Sequence, residues 1–481
     1  MGPRPEPGRK PGTRRRSRTQ RVLLRAALGL GAAAALFVLV VGPWPVYRNS
    51  RFSERRYYRE AASEIRRQAE QARAAAGPLQ AGWASRELFL PEGTPLAGYG
   101  SRRGKPATGT HDPLSIRALV LDNGRNRAVV VGSDLLIVPH NVAKRVRSRV
   151  WAKLRIAASE VLFNATHTHS GPGAGTRGLV ARLFAGRFRR EVEQRIVETV
   201  VSAIEAAAAR LSEAEIGWGS APAPAFIRNR TRSSTEAAAL VDDRIDYLAV
   251  HKPDGRRCCV VRYSAHPTVI GSGNMEFSAG FPGYFRRHLE ERGFDTVIYL
   301  AGAVGSMGPR VEAAGDDFEK AHIMGRGLGE AVKGSVHFRD TVSLRSLGVS
   351  FLVPPLQLRF APGWRLSPLF LRIAGIRRRA WMSAVAIDEL LLVGLPCDLS
   401  GEIAAGWREE AAASGIELVP LSFSGAYVGY VSPDAYYDDV YEAGEPGRLA
   451  YETAVMSWCG PDQEAFFTSL FSTARRTLYG R

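Results

Sequence analysis

Apolar residues follow two patterns along this chain. Residues 26–47 read AALGLGAAAALFVLVVGPWPVY, 22 positions without a charge. Such a stretch is long enough to cross a bilayer; Pro43 and Pro45 end the helix, and Trp44 and Tyr47 suit the headgroup boundary. A cleaved signal peptide is the rival reading, because the apolar core before Gly42 is short. No small-x-small cleavage site follows it, so the segment reads as an uncleaved anchor. After it, residues 53–75 interleave Ala, Glu and Arg, which describes a solvated helical stalk broken at Gly77-Pro78.

Beyond residue 88 the pattern changes to short apolar runs alternating with helical stretches. Strands are expected at 116–121 and 128–131, joined by the turn residues Asp122, Asn123 and Gly124. Further strands are expected at 161–164, 259–264, 297–301, 349–353 and 390–394. Val192, Ile196, Val200, Ala203 and Ala207 make one apolar stripe of a helix over 190–211. The alternation predicts an α/β fold, a mixed sheet layered with helices in a single large domain. The expected order is a basic tail (1–25), an anchor (26–47), a stalk (48–84) and the domain (85–481). No internal repeat is visible.

Composition narrows the function. A chain of 481 residues, 45% hydrophobic and 23% charged, excludes disorder, collagen and coiled coil. Four cysteines without a CxxC pair exclude a disulfide scaffold and a cysteine zinc module, so any metal is held by His and carboxylates. Of the formal charge of +18, residues 1–25 carry +8. The remainder is spread Arg with no nucleic-acid-binding signature, so nucleic acid is not an expected partner. The basic tail favours a cytoplasmic N-terminus and an extracytoplasmic domain, an asymmetry weakened by Arg48, Arg51, Arg55, Arg56 and Arg59.

The candidate chemistry sits at strand ends. Residues 164–175 read NATHTHSGPGAG, placing His167 and His169 after a strand and at the head of a glycine loop. In an extended chain two residues two apart point to the same side, so one can bind a metal while the other reaches substrate or water. His266 ends the apolar run VVRYSAH. Zinc commonly takes two His and a carboxylate and keeps one position for water. Asp398 and Glu402, after LLLVGLP, are the candidate carboxylates; a helix N-cap near 398–401 is the alternative role. Residues 364–381 (WRLSPLFLRIAGIRRRAW) and 182–190 (RLFAGRFRR) combine Arg with aliphatic and aromatic side chains, as an interfacial helix does, or a helix packed with Arg stems over its edge.

NATHTHSGPG, together with AHPT (265–268), GYG (98–100), HDPL (111–114), SAGFPGY (278–284), GAVGSMGP (302–309) and AYVGY (426–430), resembles the neutral/alkaline non-lysosomal ceramidases. The likeness spans about residues 85 to 475, the catalytic domain only. It implies a zinc amidase that cleaves a ceramide-like lipid at its N-acyl amide, which with the expected anchor makes lipid and membrane the expected partners. It implies that His167 and His266 are zinc ligands, that His169 stands beside the metal as a catalytic group, and that Tyr430 is both at the metal and catalytic. It places the family's glutamate ligand on Asp398. The pattern departs at Ser306, where the family has Asp, at Gly308, where it has Ser, and at Gly280, where it has Asp. A zinc hydrolase of another amide or ester, or a non-catalytic lipid-binding descendant, is the alternative.

Overall fold

The protein is described by a computed structural model over residues 2, 17–72, 74–231, 240–334, 336–361, 363–438 and 450–480. Most of the basic tail expected at 1–25 lies outside the described residues. The apolar N-terminal segment forms helix α1 (Arg18–Val40), none of it buried. It is long and apolar enough to cross a membrane. It begins before Ala26, because Ser17 and Gln20 form a capping box. It also ends before Tyr47: Trp44 and Pro45 pair instead with Arg365 and Trp364.

The expected stalk is a correction. Helix α2 (Arg56–Gln71) buries Ala61, Ala62, Ile65 and Ala69. They join a core shared with Leu347, Val349, Phe466 and Phe467. Those small and apolar positions, three or four apart, make one stripe that the charged faces conceal in the sequence. Strand β1 (Gln80–Glu87) starts within the expected linker. The folded domain therefore begins well before residue 85.

Three sheets repeat one plan. In the first, β1, β2 (Ser115–Asp122) and β3 (Arg127–Ser133) run antiparallel, then helix α3 (His140–Leu154) returns the chain to β4 (Val161–Ala165), parallel to β3. Helix α4 (Arg190–Ala208) buries the predicted stripe beside it. In the second, β5 (Glu215–Pro222), β6 (Arg244–His251) and β7 (Arg257–Tyr263) are antiparallel, and helix α5 (Gly280–Glu291) leads to β8 (Thr296–Ala301), parallel to β7. Helix α6 (Asp317–Ala331) packs on α5. In the third, β9 (Thr341–Leu352), β10 (Arg379–Ile387) and β11 (Leu390–Gly394) precede helix α7 (Gly401–Ala412) and the parallel strand β12 (Glu417–Leu421). Helix α8 (Gln463–Tyr479) closes the third layer. This β-β-β-α-β unit is an internal repeat of structure that the sequence does not display.

Alternation along the strands explains the packing. Leu119, Val130 and Leu162 from the first sheet meet Val260, Ile298 and Leu300 from the second and Leu344, Val385 and Leu392 from the third in one central core. The opposite faces are covered by helices. Asn164, fully buried, pins the parallel strands where the three units meet. Its Nδ2 donates to the carbonyls of Ala301 (3.1 Å) and Ser422 (2.8 Å), and its Oδ1 accepts from Ala301 N (2.7 Å). Arg262 and Arg408 hold Asp242 and Asp246 between the second and third units.

Candidate metal centre

The chain leaves each parallel strand pair at its C-terminal end, and there the expected residues converge. His167 and His169 follow β4, His266 follows β7, and Asp398 follows β11. His167 Nε2 and His169 Nε2 each lie 3.1 Å from His266 Nε2. The donor atoms of all three are within 4.8 Å of one another. His167 Nδ1 donates to the Leu136 carbonyl at 2.6 Å and His266 Nδ1 to the Val304 carbonyl at 3.1 Å. A carbonyl only accepts, so both protons sit on Nδ1 and both Nε2 lone pairs face the cluster. Lone pairs that close repel each other; a cation between them turns the repulsion into ligation, with the carbonyls orienting the rings.

Asp398 joins at one edge, its Oδ1 3.4 Å from His167 Nε2. That oxygen is buried with no hydrogen-bond partner among the described residues, as is His169 Nδ1. Oδ2 accepts from the Tyr427 hydroxyl at 2.6 Å. An orphaned carboxylate oxygen beside bare imidazole nitrogens is the donor set of a divalent transition metal. Burial pushes His167 down to about 3 and His169 and His266 well below their ordinary value, so all three imidazoles are neutral at pH 7. Burial raises Asp398 to about 7, opposed by the Tyr427 hydroxyl and the Arg230 charge.

The histidine pair does not lie in extended chain, as the sequence suggested. His167 has a left-handed backbone (φ 62°), and so has Phe423 (φ 61°). Their rings stack at 4.1 Å, which holds His167 from the third unit. Non-glycine residues in this region are strained by about 1–3 kcal/mol and recur at functional sites. His169 is framed by the GYG segment. Gly98 (φ 105°) is required there, because a Cβ would stand 2.7 Å from His169 Cγ. The ring of Tyr99 lies against it at 4.7 Å.

Tyr430 pairs with Asp398 across a two-residue parallel bridge. Its hydroxyl accepts from Arg230 Nη2 at 3.1 Å. Arg230 also donates to the Gly305 carbonyl and pairs with Glu452 at 3.0 Å. Arg230, Tyr427 and Phe423 were not singled out in the sequence. Tyr427 stands in AYVGY, but nothing in IRNRTR separates Arg230 from the many other arginines.

Glu402 is not at the cluster. Its Oε1 accepts from Asn229 (2.7 Å) and Tyr436 (3.2 Å), and its Oε2 from Ser306 (2.5 Å) and Ser400. The helix N-cap is Ser400, so Asp398 is free of that role. Ser306 also accepts from Gly401 N at 2.9 Å, and Gly308 lies on a strand paired with Arg228. Other motif residues build the frame. Asp134 binds Arg286 through both oxygens (2.7 and 2.8 Å), and Asp112 accepts from Ser278 and Ala279 N at the start of α5.

A cavity of about 1180 Å³ leads to the cluster. His167, His169, Tyr427 and Tyr430 lie in its wall, and Val180, Phe184, Leu356, Ile376, Met456 and Trp458 make it largely apolar. Two segments expected to be interfacial line it. In 364–381 only Pro368–Ile373 is helical, since 364–365 and 379–387 are strands; the second segment overlaps the end of the helix Leu179–Ala185 and the first residue of α4.

Fold and site together define an α/β protein of three sheets with a histidine and carboxylate centre at the end of an apolar cavity. Residues 91–296 match the model of the neutral/alkaline non-lysosomal ceramidase family, N-terminal region. The match supports, over those residues, the resemblance read from the sequence motifs. It is 28% identical over 211 residues to the neutral ceramidase of Pseudomonas aeruginosa, covering 40% of this chain and 31% of that protein. To the neutral ceramidase of Mycobacterium tuberculosis it is 27% identical over 222 residues, covering 43% and 34%. These alignments span about a third of the relatives' length. The solved structure of the Pseudomonas aeruginosa enzyme shares the fold, with a TM-score of 0.70 at 21% identity over 84% of this chain and 75% of that one. A ceramidase complexed with C2 gives 0.69 at 21% identity, covering 83% and 75%.

Proposed function

We propose that this protein is a membrane-anchored, zinc-dependent amidase that hydrolyses the N-acyl amide of a ceramide-like lipid. The observation that carries the reading is the convergence of bare Nε2 atoms from His167 and His266 with the orphaned Oδ1 of Asp398, at the end of an apolar cavity. In this reading His167, His266 and Asp398 hold the metal, with Tyr430 at its edge. Zinc, when bound, polarises a carbonyl and lowers the pKa of its water toward about 7.

The chain's own groups do the rest. The apolar wall takes the acyl chain and excludes water. Tyr430 keeps its proton at neutral pH, because burial pushes its hydroxyl well above the ordinary value. With Arg230 donating to its oxygen, that hydroxyl can turn its proton to a developing oxyanion. His169 is neutral, and its Nε2 at the cluster suits it to carry a proton toward the leaving nitrogen.

The anchor reading places the N-terminus in the cytoplasm and the domain outside it. It is supported over a cleaved signal by the way the helix end is tied into the domain. Ser367 donates from N to Val41 O at 2.9 Å and from Oγ to Leu39 O at 2.8 Å. External protease digesting the domain in intact cells checks the orientation.

The test combines elemental analysis with release of fatty acid from a ceramide. About one zinc per chain and metal-dependent release are expected. His167→Ala and His266→Ala lose the metal, whereas His169→Ala keeps it and loses turnover; undiminished zinc in the first two overturns the site. A non-catalytic lipid-binding descendant is the second reading, since Gly308 offers no hydroxyl and that of Ser306 is engaged by Glu402 and Gly401. Metal retention without turnover of any amide or ester establishes it.

A further inference from the structure

The cavity mouth is built next to the end of the apolar N-terminal helix. Ser367, the N-cap of the short helix Pro368–Ile373, donates from N to Val41 O (2.9 Å) and from Oγ to Leu39 O (2.8 Å). The last residue before Gly375 on that segment, Ala374, accepts from Leu179 N at 2.8 Å, which ties on the second short helix, Leu179–Ala185. Both helices turn one side into the cavity, through Val180, Phe184 and Leu369 among others. On the other side they expose Leu179 (50%), Leu183 (58%) and Ile373 (70%) to solvent.

Exposed leucine and isoleucine in such a cluster are costly in water, and the neighbouring charges have one sign. Arg177, Arg372, Arg377 and Arg379 stand at the mouth, and no Asp or Glu lines the cavity among the described residues. None of these four arginines has an ion-pair partner there. At about 1.5 Å per residue, α1 delivers its C-terminal end to the boundary between hydrocarbon and headgroups. Whatever covers the mouth is therefore apolar beneath and anionic at the surface, and lies level with the end of α1. The leaflet around α1 meets each condition.

We propose that the rim formed by Leu179, Leu183 and Ile373 with its four arginines docks into the anionic leaflet that α1 spans, so that an acyl chain slides from the bilayer into the cavity without crossing water. This rests on reading α1 as a retained span and the cavity as the acyl site.

The experiment uses the full chain in phosphatidylcholine vesicles with and without phosphatidylglycerol. All four native cysteines are buried, so a single new one can be labelled. Leu179→Cys carries a fluorophore, and Asp254→Cys, on the turn at the opposite end of the strands, is the control. Lipid-borne nitroxide should quench the label at 179 several-fold more than that at 254, and more with phosphatidylglycerol present. Leu183→Glu with Ile373→Glu should abolish the difference and cut turnover of vesicle-embedded long-chain ceramide about tenfold or more. Turnover of a water-dispersed short-acyl ceramide should stay unchanged, since neither side chain lines the cavity. Equal quenching at 179 and 254, or equal loss on both substrates, overturns the proposal. Quenching at 179 in a protein that cleaves no amide leaves the docking standing and overturns the amidase reading instead.

Discussion

Asn164 is the residue whose replacement tests the architecture most directly. Its side chain ties the end of β4 to Ala301 of the second unit and Ser422 of the third. The orientation of the amide is fixed, because Ala301 N donates and so must meet Oδ1. Asn164→Ala leaves that N–H buried without an acceptor, an effect of about 1–3 kcal/mol. Two carbonyls also lose their donor and a small void opens, so about 2–4 kcal/mol is expected in all.

Asn164→Asp is nearly isosteric and discriminates further. An ionised carboxylate there would face two carbonyl oxygens in a fully buried site, so the folded state holds the group protonated. Keeping it neutral at pH 7, against an ordinary value near 3.9, costs about 4 kcal/mol, shrinking to about 1.5 at pH 5. The folded pKa is raised above the unfolded one, so the pH-dependent part of the deficit vanishes below about pH 4 and grows as pH rises, on top of a constant loss because a carboxylic acid has one O–H where the amide serves two carbonyls. Denaturant unfolding of the full chain in detergent, followed by tryptophan fluorescence and compared with wild type at each pH, measures it. A variant within about 0.5 kcal/mol of wild type at pH 7, or a deficit that acidification does not shrink, refutes the pinning role.

Asp398→Asn should weaken metal binding by roughly 10- to 100-fold or more, while Glu402→Gln leaves metal content unchanged; elemental analysis showing the reverse moves the carboxylate to Glu402. Arg230→Gln should lower kcat about 10²-fold with little change in KM, by releasing the Tyr430 hydroxyl, and recovery of kcat in the double variant with Glu452→Gln would reduce Arg230 to charge balance. Asp242→Asn should destabilise the chain by about 3 kcal/mol, leaving Arg262 and Arg408 to share the single carboxylate of Asp246. Those arginines hold Asp242 well below the usual carboxylate range, so its contribution in the wild type is present above about pH 4 and lost as pH falls further. Unfolding curves between pH 7 and pH 3 check the sign.

The histidines were legible because their signal is local. NATHTHSGPG puts two imidazoles, a buried Asn and the glycines of a close turn within a few residues, and AHPT ends a clear β run. Strands such as β3 and β11 were equally plain, each carrying an unbroken apolar run. Strands β6 and β10 were obscured by buried or edge charge: Arg244 and Asp246 open β6, and Arg379 opens β10. The stalk misled for the opposite reason. Three of its faces are charged, and the narrow alanine stripe that packs on β9 carries little hydrophobic weight. Arg230 and Phe423 were illegible because their roles arise only when separate units meet.

The threefold plan accounts for that division. Each unit delivers its chemistry at the same place, just past the C-terminal end of a parallel strand pair, where short loops leave backbone and side chains free to face one another. His167, His266 and Asp398 come one from each unit, separated by about a hundred residues and more, and meet because Asn164 and Ser422 lock the three strand ends together. The family match at 91–296 takes in the two histidine units and stops before Asp398 and Tyr430. The third unit therefore supplies, beyond that match, the carboxylate, the tyrosines and the cavity wall beside the end of α1.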